Sequence, residues 1–107
     1  MAILGFEQYI RAFPTTEQAD DAQLYIGESH YLDGEFELAI AAYDRVVADY
    51  PAGDAAPMAY FKRGLPLARL GDTDRARETW LAVVEKYPDS DASRLARQSL
   101  DRLDRQE

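Results

Sequence analysis

The stretch GEFELAIAAYDRVVADYP, from Gly34 to Pro51, is answered thirty-seven residues later by GDTDRARETWLAVVEKYP, from Gly71 to Pro88. At that one offset Gly34 falls on Gly71, Ala39 on Ala76, Tyr43 on Trp80, Val46 and Val47 on Val83 and Val84, and Tyr50-Pro51 on Tyr87-Pro88. Outward from this pair, Gly27 maps to Gly64, and Ala22 maps to Ala59 and then Ala96. Backward, Tyr50-Pro51 maps to Phe13-Pro14, Tyr43 to Phe6 and Ala39 to Ala2. A fixed period of this length is the signature of stacked helical units, each burying its apolar face on its neighbours.

Within the quoted stretch the apolar residues are Phe36, Ala39, Ile40, Tyr43, Val46, Val47 and Tyr50. Steps of three and four place them on one face of an α-helix spanning about Phe36 to Asp49. Gly34 precedes it, where a left-handed residue can end an earlier helix, about Glu17 to Leu32, without a Cβ penalty. Pro51 ends the second helix because its ring cannot continue the hydrogen-bond ladder. The next unit repeats the plan, with helices from about Asp54 to Leu70 and Thr73 to Lys86. Asp72 is placed as an N-cap, and Pro57 falls in a first turn, where a missing N–H costs little. Pro66 breaks the rule by standing inside a helix, where it removes a bond to the Lys62 carbonyl; a kink is expected there. The expected fold is all-α, a right-handed superhelix of antiparallel helix pairs with about six helices. Residues 1–107 form one domain: a half repeat at 2–14, repeat one at 15–51, repeat two at 52–88 and a capping helix at 89–107. The chain opens in mid-unit, with Ile3, Phe6, Tyr9, Ile10 and Phe13 on a lone second helix, so it reads as an excised fragment. The domain is expected to be monomeric, with at most weak self-association through that first helix.

Composition narrows the chemistry. The 107 residues contain no cysteine, which excludes disulfides and thiol catalysis, and the net charge of −8 is wrong for neutralising nucleic-acid phosphates. No apolar run reaches the roughly 18–20 residues needed to span a bilayer. The charge is uneven. Residues 1–54 hold eleven acidic and two basic side chains, a net of −9, and residues 55–107 hold nine and ten, a net of +1. This reads either as solubility or as a field that orients a charged partner. His30 is the sole histidine, and it reads as a packing residue. No Ser/His/Asp arrangement, phosphate loop or set of spaced oxygen ligands appears, so no catalytic residue, cofactor or metal is expected.

The order Ile26-Gly27, Gly34, Ala39, Tyr43, Pro51, repeated as Tyr60, Gly64, Gly71, Ala76, Trp80, Pro88, resembles the tetratricopeptide repeat, a family of protein-binding scaffolds. Its usual unit has 34 residues, and the extra residues here fall in the loop after each Tyr-Pro. Arg63 departs from the pattern, which has Leu beside the glycine. The strings Ala22-Gln23-Leu24-Tyr25-Ile26-Gly27-Glu28 and Val46-Val47-Ala48-Asp49-Tyr50-Pro51 are similar, more narrowly, to the C-terminal domain of the Tol–Pal-associated periplasmic proteins called CpoB or YbgF. Outer-membrane assembly lipoproteins of the BamD type carry similar repeats. The first resemblance implies a periplasmic adaptor of cell division that binds TolA-like and cell-wall synthesis proteins. Family members trimerise through an N-terminal coiled coil with no counterpart in this sequence. The alternatives are a generic cytoplasmic adaptor and a BamD-like outer-membrane assembly component.

The family resemblance also implies where a partner sits, in the concave groove lined by the first helices. In repeat one those positions are Asp21, Leu24, Tyr25, Glu28, Tyr31 and Leu32. In repeat two they are Met58, Phe61, Lys62, Leu65, Ala68 and Arg69. Such a surface suits an extended or helical segment anchored by apolar side chains. Leu24, Phe61 and Leu65 equally suit packing between adjacent first helices. Leu24 and Glu28 stand where chaperone-binding members hold a terminal carboxylate, which excludes that clamp. An enzyme built on Glu28 and His30 is the remaining rival.

Overall fold

The computed structural model describes residues 17–106 together with Glu7. The expected half repeat at 2–14 otherwise lies outside the described residues. Among the described residues five helices follow one another: α1 (Glu17–Leu32), α2 (Phe36–Asp49), α3 (Ala56–Arg69), α4 (Thr73–Lys86) and α5 (Asp91–Gln106). The all-helical fold is the tetratricopeptide-type superhelix that the period requires.

The 37-residue repeat is visible in the backbone. Gly34 and Gly71 take φ values of 79° and 85°, the left-handed conformation that glycine adopts without strain. Around each, the same two bonds close the helix end. Gly34 N–H reaches Tyr31 O and Glu35 N–H reaches His30 O, at 3.0 and 2.9 Å; Gly71 reaches Ala68 O and Asp72 reaches Leu67 O, at 3.1 and 2.9 Å. This pairing satisfies carbonyls that a helix C-terminus otherwise leaves open. Asp72 then caps α4 by accepting from Arg75 N–H at 3.3 Å, as its position led us to expect.

Every helix packs on the next one in the chain. In addition α1 meets α3 and α3 meets α5, whereas α2 and α4 do not meet. The first helices of the pairs therefore lie closer together and form the inner, concave side, with the second helices outside. One aromatic residue fixes each pair. A Cβ added at Gly27 would stand 2.5 Å from Tyr43 Cε1, and one added at Gly64 would stand 2.5 Å from Trp80 Cε2. The glycines are thus the sockets for the α2 and α4 rings, and Trp80 Nε1–H also donates to Phe61 O at 3.0 Å. Both rings are buried, and burial, with Tyr31 nearby, pushes the Tyr43 hydroxyl up to about 12.

Pro66 does not end its helix. The α3 run continues through it to Arg69, and the proline ring is fully buried. Leu67 joins the core around Trp80 and Val83, while Arg69 emerges at the surface. Arg63 is neither exposed nor rotated away. Its Nε donates to Asp44 Oδ1 at 2.5 Å and its Nη1 to Thr79 Oγ1 at 2.9 Å, so it ties α3 to α2 and to α4 at once.

Candidate functional site

Burial along α1 falls on Ala19, Asp20, Ala22, Gln23, Ile26 and Gly27, the face turned towards its neighbours. Helical geometry leaves Asp21, Leu24, Tyr25 and Glu28 on the other side. Asp21 and Tyr25 are exposed, and Leu24 and Tyr31 are half-buried against the cluster of Ala39, Tyr43 and Val46. On α3, Met58 and Leu65 are partly buried on the Phe61–Trp80 cluster, and Phe61 itself is buried with its ring 6.4 Å from that of Trp80. Phe61 is thereby a core residue, and Leu24 and Leu65 contribute as much to packing as to any outer surface. Arg69 is exposed at the end of α3, with its guanidinium 5.1 Å from the centroid of the Phe36 ring.

Glu28 and Lys62, thirty-four residues apart in sequence, meet across the inner face as an ion pair, both partly buried. Burial lowers the Lys62 ammonium from its ordinary value. The pair holds α1 to α3 and divides the face. Tyr25 and Asp21 lie on the α1 side, and Met58, Leu65 and Arg69 on the α3 side. Partial desolvation at its exposed position, and then the charges of Asp20 and Asp54, raise the Asp21 carboxyl above its ordinary value. The arrangement suits recognition rather than chemistry: a ridge of partly exposed aromatic and aliphatic groups with a charge pair at its centre. His30 Nδ1 lies 3.1 Å from Glu35 Oε1 and braces the turn after α1. Among the described residues no cluster of three or more His, Asp or Glu is placed to hold a metal ion. No helix among them is long and apolar enough to cross a membrane.

Asp20 is a structural residue that the sequence did not disclose. It is 3% exposed, and its Oδ2 accepts from Ala55 N–H at 3.3 Å, so a side chain from α1 caps the start of α3. The signal lay in Gly53. One period later the same place is held by Ser90, whose Oγ accepts from Ser93 N–H at 3.0 Å and caps α5 locally. Gly53 has no side chain to do this, and a Cβ there would collide with Asp20 Oδ2.

The family model for the outer membrane lipoprotein YfiO matches residues 1–106. The outer membrane protein assembly factor BamD of Caulobacter vibrioides is 28% identical over 113 aligned positions, which cover 98% of this chain and 37% of that protein. The chain thus spans little more than a third of the relative's length. These similarities favour the BamD-type reading of the repeats and give the narrower CpoB resemblance no support. With a helical-repeat fold and a family match along nearly its whole length, this chain belongs to the YfiO family of outer membrane lipoproteins.

Proposed function

We propose that this chain is a non-catalytic scaffold segment of a BamD-like outer-membrane assembly factor, and that it holds a partner protein segment on the inner face of α1 and α3. The family match over residues 1–106 carries this reading. The geometry supports it through Tyr25, Asp21, Met58, Leu65 and Arg69, which flank the Glu28–Lys62 pair on the side where alternate helices converge. A segment lying there gains apolar contact from the aromatic and aliphatic groups, and its direction is set by acid on α1 and base on α3. The rival, a Tol–Pal adaptor that binds TolA-like and cell-wall synthesis proteins, rests on short strings such as Ala22 to Glu28 alone.

A chimera tests the proposal. The matching segment of the C. vibrioides assembly factor is replaced by this chain, and outer-membrane protein levels are measured. The expected result is that the chimera sustains assembly and that Tyr25→Ala with Arg69→Ala reduces it while the protein remains folded. A folded chimera whose assembly is indifferent to both substitutions would refute the inner-face site.

A further inference from the structure

The edge of the superhelix, where first helices turn into second ones, carries a groove distinct from the inner face. Gly34, Glu35, Phe36, Glu37 and Leu38 line it from the turn and the start of α2, and Leu70 closes it from the end of α3, around a volume of about 300 Å³. Leu38 is 51% exposed and Leu70 48%, unusual for leucines that face a common hollow. At Gly34 a Cβ would meet nothing within 4 Å, so the backbone there is open to an incoming group. Phe36 is steadied from both neighbours, by the Tyr31 ring at 5.5 Å between centroids and by Arg69 over its face. The turn beneath is closed by the two bonds around Gly34 and by the His30–Glu35 contact. Aliphatic groups are therefore presented on a fixed frame rather than on a loose loop.

The charge around the hollow selects the occupant. Asp33, Glu35 and Glu37 surround it in sequence, and the nearby cation, Arg69, is stacked on Phe36. A second copy that met this groove through its own would set acidic rim against acidic rim, at a net charge of −8 per chain, and an anionic membrane surface would be repelled in the same way. From the paired leucines and the acidic rim, we propose that this groove docks a partner protein segment that offers an aliphatic side chain flanked by Lys or Arg. The aliphatic group would fill the space between Leu38 and Leu70, and the flanking cations would meet Glu37 and Asp33.

The test is a nuclear magnetic resonance titration of the ¹⁵N-labelled chain with a short synthetic peptide in which two leucines are flanked by lysines. The same peptide with glutamates in place of the lysines serves as control. The expected result is a saturable shift of the amides of Gly34, Phe36, Leu38 and Leu70 with the lysine peptide alone. Glu37→Lys and Leu70→Ser, both at exposed positions, should each weaken it about tenfold. Any of three results would overturn the proposal: shifts confined to α1 and the inner face of α3, equal response to both peptides, or concentration-dependent shifts of the same amides without peptide, which would mark a second copy as the occupant.

Discussion

Substituting alanine for Gly64 sets two effects of known sign against each other. On helix propensity alone the change adds about 1 kcal/mol of stability, because glycine is the costliest ordinary residue in a helix interior. In this fold the new methyl group would stand 2.5 Å from Trp80 Cε2, against a ring that is 4% exposed and has little room to move. Overpacking of this kind costs about 1–3 kcal/mol. If the ring shifts, its bond to Phe61 O lengthens from 3.0 Å, at a further cost of about 1 kcal/mol. The net expectation is a loss of about 1–3 kcal/mol, which for a domain of this size lowers Tm by about 10 °C. Gly27→Ala should follow with a smaller loss, since the Tyr43 ring makes the same contact. Urea denaturation followed by circular dichroism measures both. The double variant Gly27→Ala with Tyr43→Leu supplies the control, because a smaller side chain in the socket should make the combined loss less than the sum of the single ones. If Gly64→Ala or Gly27→Ala proves as stable as the parent or more so, the glycines are not sockets and the packing argument is wrong.

Three other perturbations probe separate parts of the structure. Asp20→Ala should cost about 1–2 kcal/mol in urea denaturation by leaving Ala55 N–H without its acceptor. Adding Gly53→Ser should recover part of that loss by supplying the local cap that Ser90 gives α5. A double-mutant cycle on Glu28→Gln and Lys62→Met should give a favourable coupling of about 0.5–1 kcal/mol, since both groups retain some solvent contact, and the coupling should shrink at about 1 M salt. Asp21 has a raised folded-state pKa, so its neutral form is the one that folding favours; that contribution is complete below the ordinary value of 3.8 and is lost as pH rises through the folded value. Asp21→Asn should therefore raise Tm at pH 7 relative to the parent, and the difference should vanish as pH falls below 3.8.

The helix plan was legible because its punctuation is chemical. Glycine with positive φ at 34 and 71, and prolines after Tyr50 and Tyr87, leave little choice about where α2 and α4 begin and end. The proposed site was legible only as a face. Position on α1 and α3 marks out Tyr25 and Arg69, but it cannot reveal that Glu28 and Lys62, thirty-four residues apart, neutralise each other, because that depends on how the two helices lie across each other. For the same reason Asp20 looked like one more solvated acid, and Arg63 looked like a departure from pattern rather than a tie between α2 and α4. The groove beside Gly34 was invisible because Leu38 and Leu70 belong to different repeats and share a surface only after folding.

The central claim is that partners bind on the inner side of this envelope scaffold. It is tested most directly by placing a photo-crosslinking amino acid at Tyr25, on the inner face, or at Glu78, exposed on α4, within the assembly-factor chimera in living cells. Crosslinks to a component of outer-membrane protein assembly from Tyr25, with none from Glu78, are the predicted result. Crosslinks from Glu78 alone would contradict it.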